Sequence, residues 1–278
     1  MKRLASIQEM NTPAFRAVID EVNEIGRRGG LRVIESTSKL WEYPFCWFAI
    51  NHHAPPGARI LDIGTERSPF PFYLARKGYD VTITDVEKRW RRDWQRAERE
   101  LLLSLNHSIC PAEKLPYPDE YFDIYLSVSV IEHTSFKEET LEEAARVLRP
   151  GGLLILTFDM LEEDYGMVYP KEFGVPLSMQ KFDAMFEKLP FFQLLESDLS
   201  WNVNDIPDFL KWVQSTKPIH RYVMGAAVLK RNRFEPQPRT AFEAFGLELK
   251  LLYAYRIAPT LNGLTRRVYH RILREMKR

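Results

Sequence analysis

The stretch that decides the fold is Arg59-Ile60-Leu61-Asp62-Ile63-Gly64. Its apolar residues are β-branched or long, and a carboxylate and a glycine stand near its end, which predicts a buried strand that runs into a tight turn. The turn-forming residues Pro55-Pro56-Gly57 come immediately before it. We therefore place the start of the main domain at residue 58.

Strands and helices alternate from this point onward. Asp80-Val81-Thr82-Ile83-Thr84-Asp85 has the alternation of a second strand, and helical periods separate it from later apolar runs. Alternation of this kind predicts repeated βα units, with helices on both faces of a mostly parallel sheet. We predict a seven-stranded α/β domain over residues 58–231, with strands at 59–64, 80–85, near 109–110, 122–128, 153–158, 192–196 and 223–229.

The flanking segments differ from this domain in composition. Residues 1–57 contain a helix that Thr12 caps and Pro13 opens, followed by a run from Trp41 to Phe48 that is dense in aromatic side chains. These residues either cover the ligand site or only pack a helix onto the sheet. We predict a helical, aromatic N-terminal segment.

The C-terminal extension, residues 232–278, ends in a basic stretch. Leu264–Arg278 carries six basic residues and one acid, and its apolar residues recur every four positions. This pattern predicts a basic amphipathic helix. Such helices usually pack on their own domain, and peripheral contact with a membrane surface is the alternative.

The composition limits the classes of function. The 278 residues are 45% hydrophobic and 28% charged, with a net charge of +1, so a globular chain without a global basic field is expected. We therefore predict no DNA partner, and the same balance argues against RNA. Two cysteines, Cys46 and Cys110, are too few for a metal cluster and fit a reducing compartment. With no signal peptide or membrane span in the sequence, we expect a cytoplasmic protein.

The ends of the first two predicted strands indicate a ligand site. Parallel sheets bind ligands at the carboxyl ends of their strands, near the point where the strand order reverses. Asp62 and Gly64 lie at one such end and Asp85 at the next. The glycine would let a ligand approach the backbone, and the carboxylate could accept hydrogen bonds from both ribose hydroxyls. Taken alone, the same residues also fit tight turns with a capping or solvated carboxylate.

Five ordered segments carry a resemblance to a known family. They are residues 59–64, 81–85, 112–123, 127–133 and 143–152. In this order and spacing the sequence resembles the class I S-adenosylmethionine-dependent methyltransferases, specifically the type 11 group related to ubiquinone and menaquinone pathway enzymes. The resemblance covers about residues 58–160 and implies a Rossmann-like fold with S-adenosylmethionine as cofactor.

The resemblance implies which residues would contact the two ends of the cofactor. Asp62 and Gly64 would line its methionine and sulfonium end, and Ser127 would lie beneath it after the fourth strand. The family's turn after the first glycine usually contains further glycines. Here it reads Thr65-Glu66-Arg67-Ser68-Pro69-Phe70, so a different backbone path is expected.

By the same resemblance, Asp85 would hold the ribose and Val86 would lie against the adenine face. Ala112 and Glu113 would lie at the adenine edge. The family commonly has an aspartate just before this pair, whereas this chain has Pro111. Glu113 or a backbone carbonyl must then accept the hydrogen bond of the adenine amino group.

His133, just after the fourth strand, is the candidate catalytic base. Methyl transfer from a sulfonium mainly requires alignment and exclusion of water, and a base is needed only when the acceptor must lose a proton early, as a hydroxyl does. A packed or capping histidine is the alternative. The pair Glu132-His133 also matches part of a metal-binding Glu-x-x-Glu-His pattern of small-RNA methyltransferases, but Ser129 occupies the first glutamate position. We therefore assign no metal.

The sequence thus predicts a methyltransferase that acts on a small-molecule or glycan-like acceptor. Two alternatives stay open. The glycine-poor turn and Pro111 also fit a degenerate fold that serves as a binding or scaffold module, and the basic tail with Glu132-His133 fits an RNA methyltransferase. The sequence leaves the acceptor atom and the oligomeric state open.

Overall fold

The structure is a computed structural model that describes residues 1–35, 37–134, 136–162, 167, 175–195, 201–216, 222–233 and 240–252. The chain forms two compact units, Met1–Pro236 and Gln237–Arg278. Within the described residues, no helix has the length and apolar character that a membrane span requires.

In the part of the first unit that the structure describes, one sheet contains eight strands. These are β1 (Lys2–Leu4), β2 (Arg59–Ile63), β3 (Asp80–Asp85), β4 (Asn106–Ile109), β5 (Phe122–Val128), β6 (Leu148–Met160), β7 (Phe192–Leu194) and β8 (Val223–Arg231). Their order is β1-β8-β6-β5-β2-β3-β4, and β7 also pairs with β8. The predicted α/β sheet is confirmed, with eight strands in place of seven because the N-terminal residues add β1 to its edge.

The central strands are parallel and the strands at one edge are antiparallel. Strands β2 to β6 pair in parallel, whereas β8 runs antiparallel to β6, β7 and β1. Residues 152–160 of β6 are all buried. A strand covered on both faces has this uniform burial, which is why its sequence reads as an unbroken apolar run.

Helices precede and separate the strands. They are α1 (Ile7–Met10), α2 (Pro13–Gly29), α3 (Lys39–His53), α4 (Phe70–Arg76), α5 (Arg91–Leu101), α6 (Lys137–Val147), α7 (Met179–Glu187) and α8 (Ile206–Thr216). The helix predicted after Thr12 is present as α2. The Thr12 side chain accepts a hydrogen bond from the Phe15 amide, and Gly30 ends the helix at a φ of 64°.

Two helix boundaries differ from the sequence prediction. The basic pattern predicts a single helix from residue 88 to 103, but a short 3-10 turn at Lys88–Trp90 precedes α5. The apolar stripe of α6 is predicted to include Leu148, whereas Leu148 begins β6 and pairs with Phe122. Pairing with a neighbouring strand overrides helical spacing here, because the ladder satisfies the backbone groups. Ser135, predicted to cap this helix, lies outside the described residues.

The strand order reverses between β2 and β5. The chain passes from β2 to β3 and β4 on one side, and then crosses to β5 on the other side of β2. Connections leave β2 and β5 in opposite directions, so a crevice opens at their carboxyl ends. This crevice lies where Asp62, Gly64 and Ser127 are predicted to act.

In the second unit the structure describes one helix, α9 (Ala241–Leu252). In the sequence, the apolar residues of this stretch fit both the alternation of a strand and the spacing of a helix. The structure has the helix. The basic stretch Leu264–Arg278 lies outside the described residues.

Candidate active site

Gly64 forms the floor of the crevice. Its φ is 62°, a conformation that favours glycine, and a Cβ atom placed on it would lie 2.7 Å from Cγ2 of Val130. Val130 belongs to the turn that follows β5, so the ends of the two strands meet at a spacing that leaves no room for a side chain. Gly64 therefore lets the turns after β2 and β5 pack against each other, and its backbone is half-buried.

The glycine-poor turn after Gly64 is held by its neighbours. Glu66 has a φ of 47°, although it carries a side chain. The Trp94 indole N–H donates to the Glu66 carbonyl at 2.6 Å, and the Thr65 amide donates to the Thr84 carbonyl at 3.1 Å. These hydrogen bonds stabilise the left-handed backbone conformation of Glu66, which a glycine would adopt without strain. Trp94 could not be recognised as part of this turn from the sequence, where it is one tryptophan in a basic helical stretch.

Asp85 holds the same turn from the end of β3. Its Oδ2 accepts a hydrogen bond from the Glu66 amide at 3.0 Å, and its Oδ1 accepts one from the Glu87 amide at 2.8 Å. Burial raises the pKa of this carboxyl above its ordinary value. Each carboxylate oxygen can accept a second bond, so Asp85 can hold the turn and still accept from a ribose. Val86 beside it is 42% exposed, an apolar surface open to a flat ring.

Asp62 is a buried carboxyl at the end of β2. Its Oδ2 lies 3.4 Å from the Thr65 hydroxyl, and the side chain is 4% exposed. Burial raises the pKa of Asp62 to about 8, although the Thr65 hydroxyl and the Lys39 ammonium act in the opposite direction. A ligand that brings a positive charge to this position would favour the ionised form. The ammonium and sulfonium groups of S-adenosylmethionine are of this kind.

Ser127 lies at the carboxyl end of β5, and the Ala112-Glu113 pair follows β4 at the edge of the sheet. Ser127 is 1% exposed, and its hydroxyl has no hydrogen-bond partner within the described residues. A buried hydroxyl without a partner at the point of strand reversal is consistent with a site completed by a ligand. Ala112 is half-buried and Glu113 fully buried, just before a stretch whose Leu115 amide donates to Glu143 at 2.6 Å.

His133 and Glu132 have opposite environments. The His133 side chain is exposed, and its amide donates to the Val130 carbonyl at 2.8 Å, which ties it to the turn above Gly64. Glu132 is buried, and its Oε1 accepts from the Asp159 amide at 3.0 Å. Burial, together with the Asp159 carboxylate, raises the pKa of Glu132 well above its ordinary value. Among the described residues, no three side chains form a metal-binding group.

A buried glutamate on α3 joins the N-terminal segment to the crevice. Oε1 of Glu42 accepts a hydrogen bond from the Ser129 hydroxyl at 2.6 Å and another from the Thr157 hydroxyl, and Lys39 lies 3.0 Å from Oε2. Burial raises the pKa of Glu42, but Lys39 and the two hydroxyls outweigh it and leave that pKa below its ordinary value. In the sequence, Glu42 stands out less than the aromatic residues around it, and its role is apparent only in the structure.

The aromatic residues of α3 pack around this contact. The Tyr43 ring stacks on Phe70 at 4.7 Å between centroids, and its hydroxyl lies 2.9 Å from the Ser68 hydroxyl in the turn after Gly64. Trp47 meets Tyr73 edge to face at 5.2 Å. Trp47 therefore packs the helix, whereas Tyr43 reaches the turn of the predicted cofactor site.

Comparison with known proteins agrees with this geometry. Residues 61–156 match the methyltransferase domain family. The ubiquinone/menaquinone biosynthesis C-methyltransferase UbiE of Bordetella avium is 31% identical over 118 residues, 41% of this chain and 46% of that protein. The tRNA U34 carboxymethyltransferase of Syntrophotalea carbinolica is 27% identical over 220 residues, 69% of this chain and 68% of that protein. The chain spans about half the length of the UbiE relatives.

Solved structures share the fold. The [4+2]-cyclase SpnF superposes with a TM-score of 0.57 at 19% identity, covering 77% of this chain and 93% of its own. Geranyl diphosphate C-methyltransferase from Streptomyces coelicolor, in complex with Mg²⁺, geranyl diphosphate and S-adenosylhomocysteine, has a TM-score of 0.55 at 12% identity, covering 80% and 99%. At these identities the likeness concerns the fold.

Residues 61–156 are therefore a methyltransferase domain, and the sheet that contains them has the Rossmann-like class I methyltransferase fold. The resemblance drawn from the five sequence segments is confirmed. S-adenosylmethionine is the methyl donor of this class of domain, as the sequence predicted.

The raised pKa of Asp62 predicts a pH-dependent stability of the ligand-free protein. In the folded chain the carboxyl stays protonated up to about pH 8, whereas the unfolded chain ionises it near its ordinary value of about 3.9. Unfolding therefore releases a proton, and the free energy of unfolding falls as the pH rises between these values, by at most about 1.4 kcal/mol per pH unit. We expect Asp62→Asn to flatten this profile in denaturant titrations from pH 5 to 8. Parallel profiles for the two proteins would contradict the assignment.

Proposed function

We propose that this protein transfers the methyl group of S-adenosylmethionine to a small-molecule or glycan-like acceptor. The observation that carries the proposal is the position of Asp62, Asp85 and the Ser127 hydroxyl, unpartnered among the described residues, at the strand ends beside the reversal and within the residues that match the methyltransferase domain family. In this proposal residues 58–231 are the transferase domain, residues 1–57 cover its cofactor site and residues 232–278 are an extension. The proposed location is the cytoplasm.

The side chains of the crevice fit the parts of this cofactor. Asp62 and the backbone of Gly64 would hold its methionine and sulfonium end, and the hydroxyl of Ser127 would donate to it from beneath. Asp85 would accept from the ribose hydroxyls, with Val86 against the adenine face. At the adenine edge the proposal places Ala112 and Glu113.

When bound, the cofactor supplies a methyl group on a positively charged sulfur, which makes that carbon electrophilic. The protein's own task is to orient the acceptor in line with that carbon and to keep water out. Tyr43 and Glu42 of α3 contact the turns after β2 and β5, so the N-terminal segment is suited to exclude water from the crevice. The acceptor class draws on the UbiE relatives, which are named as C-methyltransferases of quinone biosynthesis.

Binding of S-adenosylhomocysteine tests this function directly. We expect wild-type protein to bind it in calorimetric titration. We expect Gly64→Ala to abolish this binding, because its Cβ would collide with Val130 and a left-handed φ is strained for alanine. Val130→Ala alone, which removes the colliding methyl groups and keeps the glycine, is the matched control and should still bind. A folded wild-type protein that does not bind would favour the scaffold alternative.

His133 is proposed as the base that takes a proton from a hydroxyl acceptor. We expect His133→Asn to leave the affinity for S-adenosylhomocysteine unchanged, because the exposed side chain stands outside the cofactor contacts, and to lower turnover about 100-fold or more. The measurement is transfer of a labelled methyl group to a panel of hydroxyl-bearing small molecules and glycans. A variant that turns over any acceptor at the wild-type rate would remove His133 from the mechanism.

RNA is the second candidate acceptor, favoured by the extended match to the tRNA U34 carboxymethyltransferase. The outward face of α5 adds to this candidate. Opposite its buried Trp94 and Ala97, the helix exposes Arg92 and Arg99. Arginine side chains on one helix face are suited to phosphate groups. Against it stands the net charge of +1.

Reversing two charges on α5 tests whether the acceptor is RNA or a small molecule. If RNA binds this face, Arg92→Glu/Arg99→Glu should weaken tRNA binding in fluorescence anisotropy and reduce the slope of its salt dependence by roughly 1.5 to 2. Lys181→Glu/Lys188→Glu, on α7 and at its end, makes the same change in net charge elsewhere and should have a smaller effect. Equal tRNA affinity of the two double variants, or none at low salt, would remove this candidate.

A further inference from the structure

Lys39 places a positive charge beside the crevice. It is the first residue of α3, and its Nζ lies 3.0 Å from Oε2 of Glu42. Oε1 of the same glutamate accepts hydrogen bonds from Ser129, which follows β5, and from Thr157, which pairs with the last residue of β5. One carboxylate therefore separates the Lys39 ammonium from the end of β5, where the crevice opens.

The electrostatic effects of Lys39 agree with this position. Burial lowers the pKa of Lys39, but the Glu42 carboxylate together with Tyr43 and Glu132 outweighs it, so that the pKa stands above its ordinary value and the ammonium stays charged. The same ammonium opposes the effect of burial at Asp62, on the end of β2, and at Glu132, in the turn after β5. Its charge thus acts on both sides of the strand reversal.

The crevice otherwise presents acidic groups to its ligand. Asp62, Asp85 and Glu132 are all buried near the strand ends. A cofactor with a free amino-acid group brings a carboxylate as well as an ammonium, and a cation of the protein nearby favours burial of that carboxylate. None of these three acids can supply that counter-charge, so it would come from a basic side chain.

A second, half-buried cation near the crevice, Lys137, already has its hydrogen-bond partners. Its Nζ donates to the carbonyl oxygens of Ile131, Glu132 and Thr134 at 2.7, 3.2 and 3.2 Å. An ammonium has three N–H donors, so these bonds use all of them. Lys39 makes one side-chain hydrogen bond within the described residues, to Glu42, and two of its donors remain available to a ligand.

We infer that the Lys39 ammonium receives the carboxylate of the cofactor's methionine end, held in place by Glu42. The inference rests on the proposed function, since it concerns the same cofactor. Glu42 acts as a positioning residue: it fixes the ammonium and the Ser129 turn together, and it touches no ligand. The N-terminal segment thereby contributes a binding group to the site in addition to covering it.

Paired titrations with two ligands test this inference. S-Adenosylhomocysteine carries the amino-acid carboxylate, whereas 5′-methylthioadenosine has the same thioadenosine without it. We expect Lys39→Met to weaken S-adenosylhomocysteine binding by roughly 10- to 100-fold, the range of a charge-assisted hydrogen bond, with methylthioadenosine affinity unchanged. The decisive quantity is the ratio of the two dissociation constants in the full-length protein.

Two further variants separate the loss of the ammonium from a disturbance of the fold. Lys39→Met/Glu42→Gln removes both charges of the pair, so no uncompensated carboxylate stays buried, and it should show the same change in ratio. Lys77→Met removes an ion pair with Glu21 on the outside of the first unit and should leave the ratio unchanged. A wild-type ratio in both Lys39 variants would overturn the inference while the proposed function stands. No wild-type binding of S-adenosylhomocysteine would overturn both.

Discussion

The close approach of Gly64 to Val130 is the constraint on which the rest of the site depends. The two residues follow neighbouring parallel strands, and a methyl group on the glycine would collide with the Val130 side chain. Because the turn after β5 lies so close, the turn after β2 must bend away from it through Thr65 and Glu66. Asp85 and Trp94 then hold that bend from the next strand and the next helix. The strand reversal thus opens the crevice, and the missing side chain at Gly64 lets the two turns beside it pack together.

Most of the sheet could be predicted from the sequence, because each central strand is a short apolar run between turn residues. Leu148 shows where local spacing fails: it continues the stripe of α6 but begins β6, since its backbone finds a partner in Phe122. The strand at Lys2–Leu4 could not be predicted either. Three residues are too few to show the alternation of polar and apolar residues that predicts a strand. They form a strand here because they pair with the edge of β8.

In the candidate site, the residues at strand ends could be predicted from the sequence. Residues that are distant along the chain from the strands they contact could not. Asp62, Gly64, Asp85 and Ser127 follow recognisable strand ends. Glu42 and Trp94 do not follow a strand. A single glutamate in an aromatic run, or a single tryptophan in a basic helix, fits many structural roles, so the sequence does not predict theirs. Their roles appear only when tertiary packing brings them to the turns after β5 and β2.

The hydrogen bonds of Glu42 also bear on how the chain folds. They join residues that are 87 and 115 positions apart, to Ser129 and Thr157 respectively. Closing loops of this length is unfavourable until other contacts have brought the ends together. Helix α3 is therefore expected to dock after β5 and β6 have paired, so that the part of the crevice beside Ser129 is completed late. Until then Glu42 would remain hydrated, and the chain would lack the contacts that α3 makes with the turns after β2 and β5.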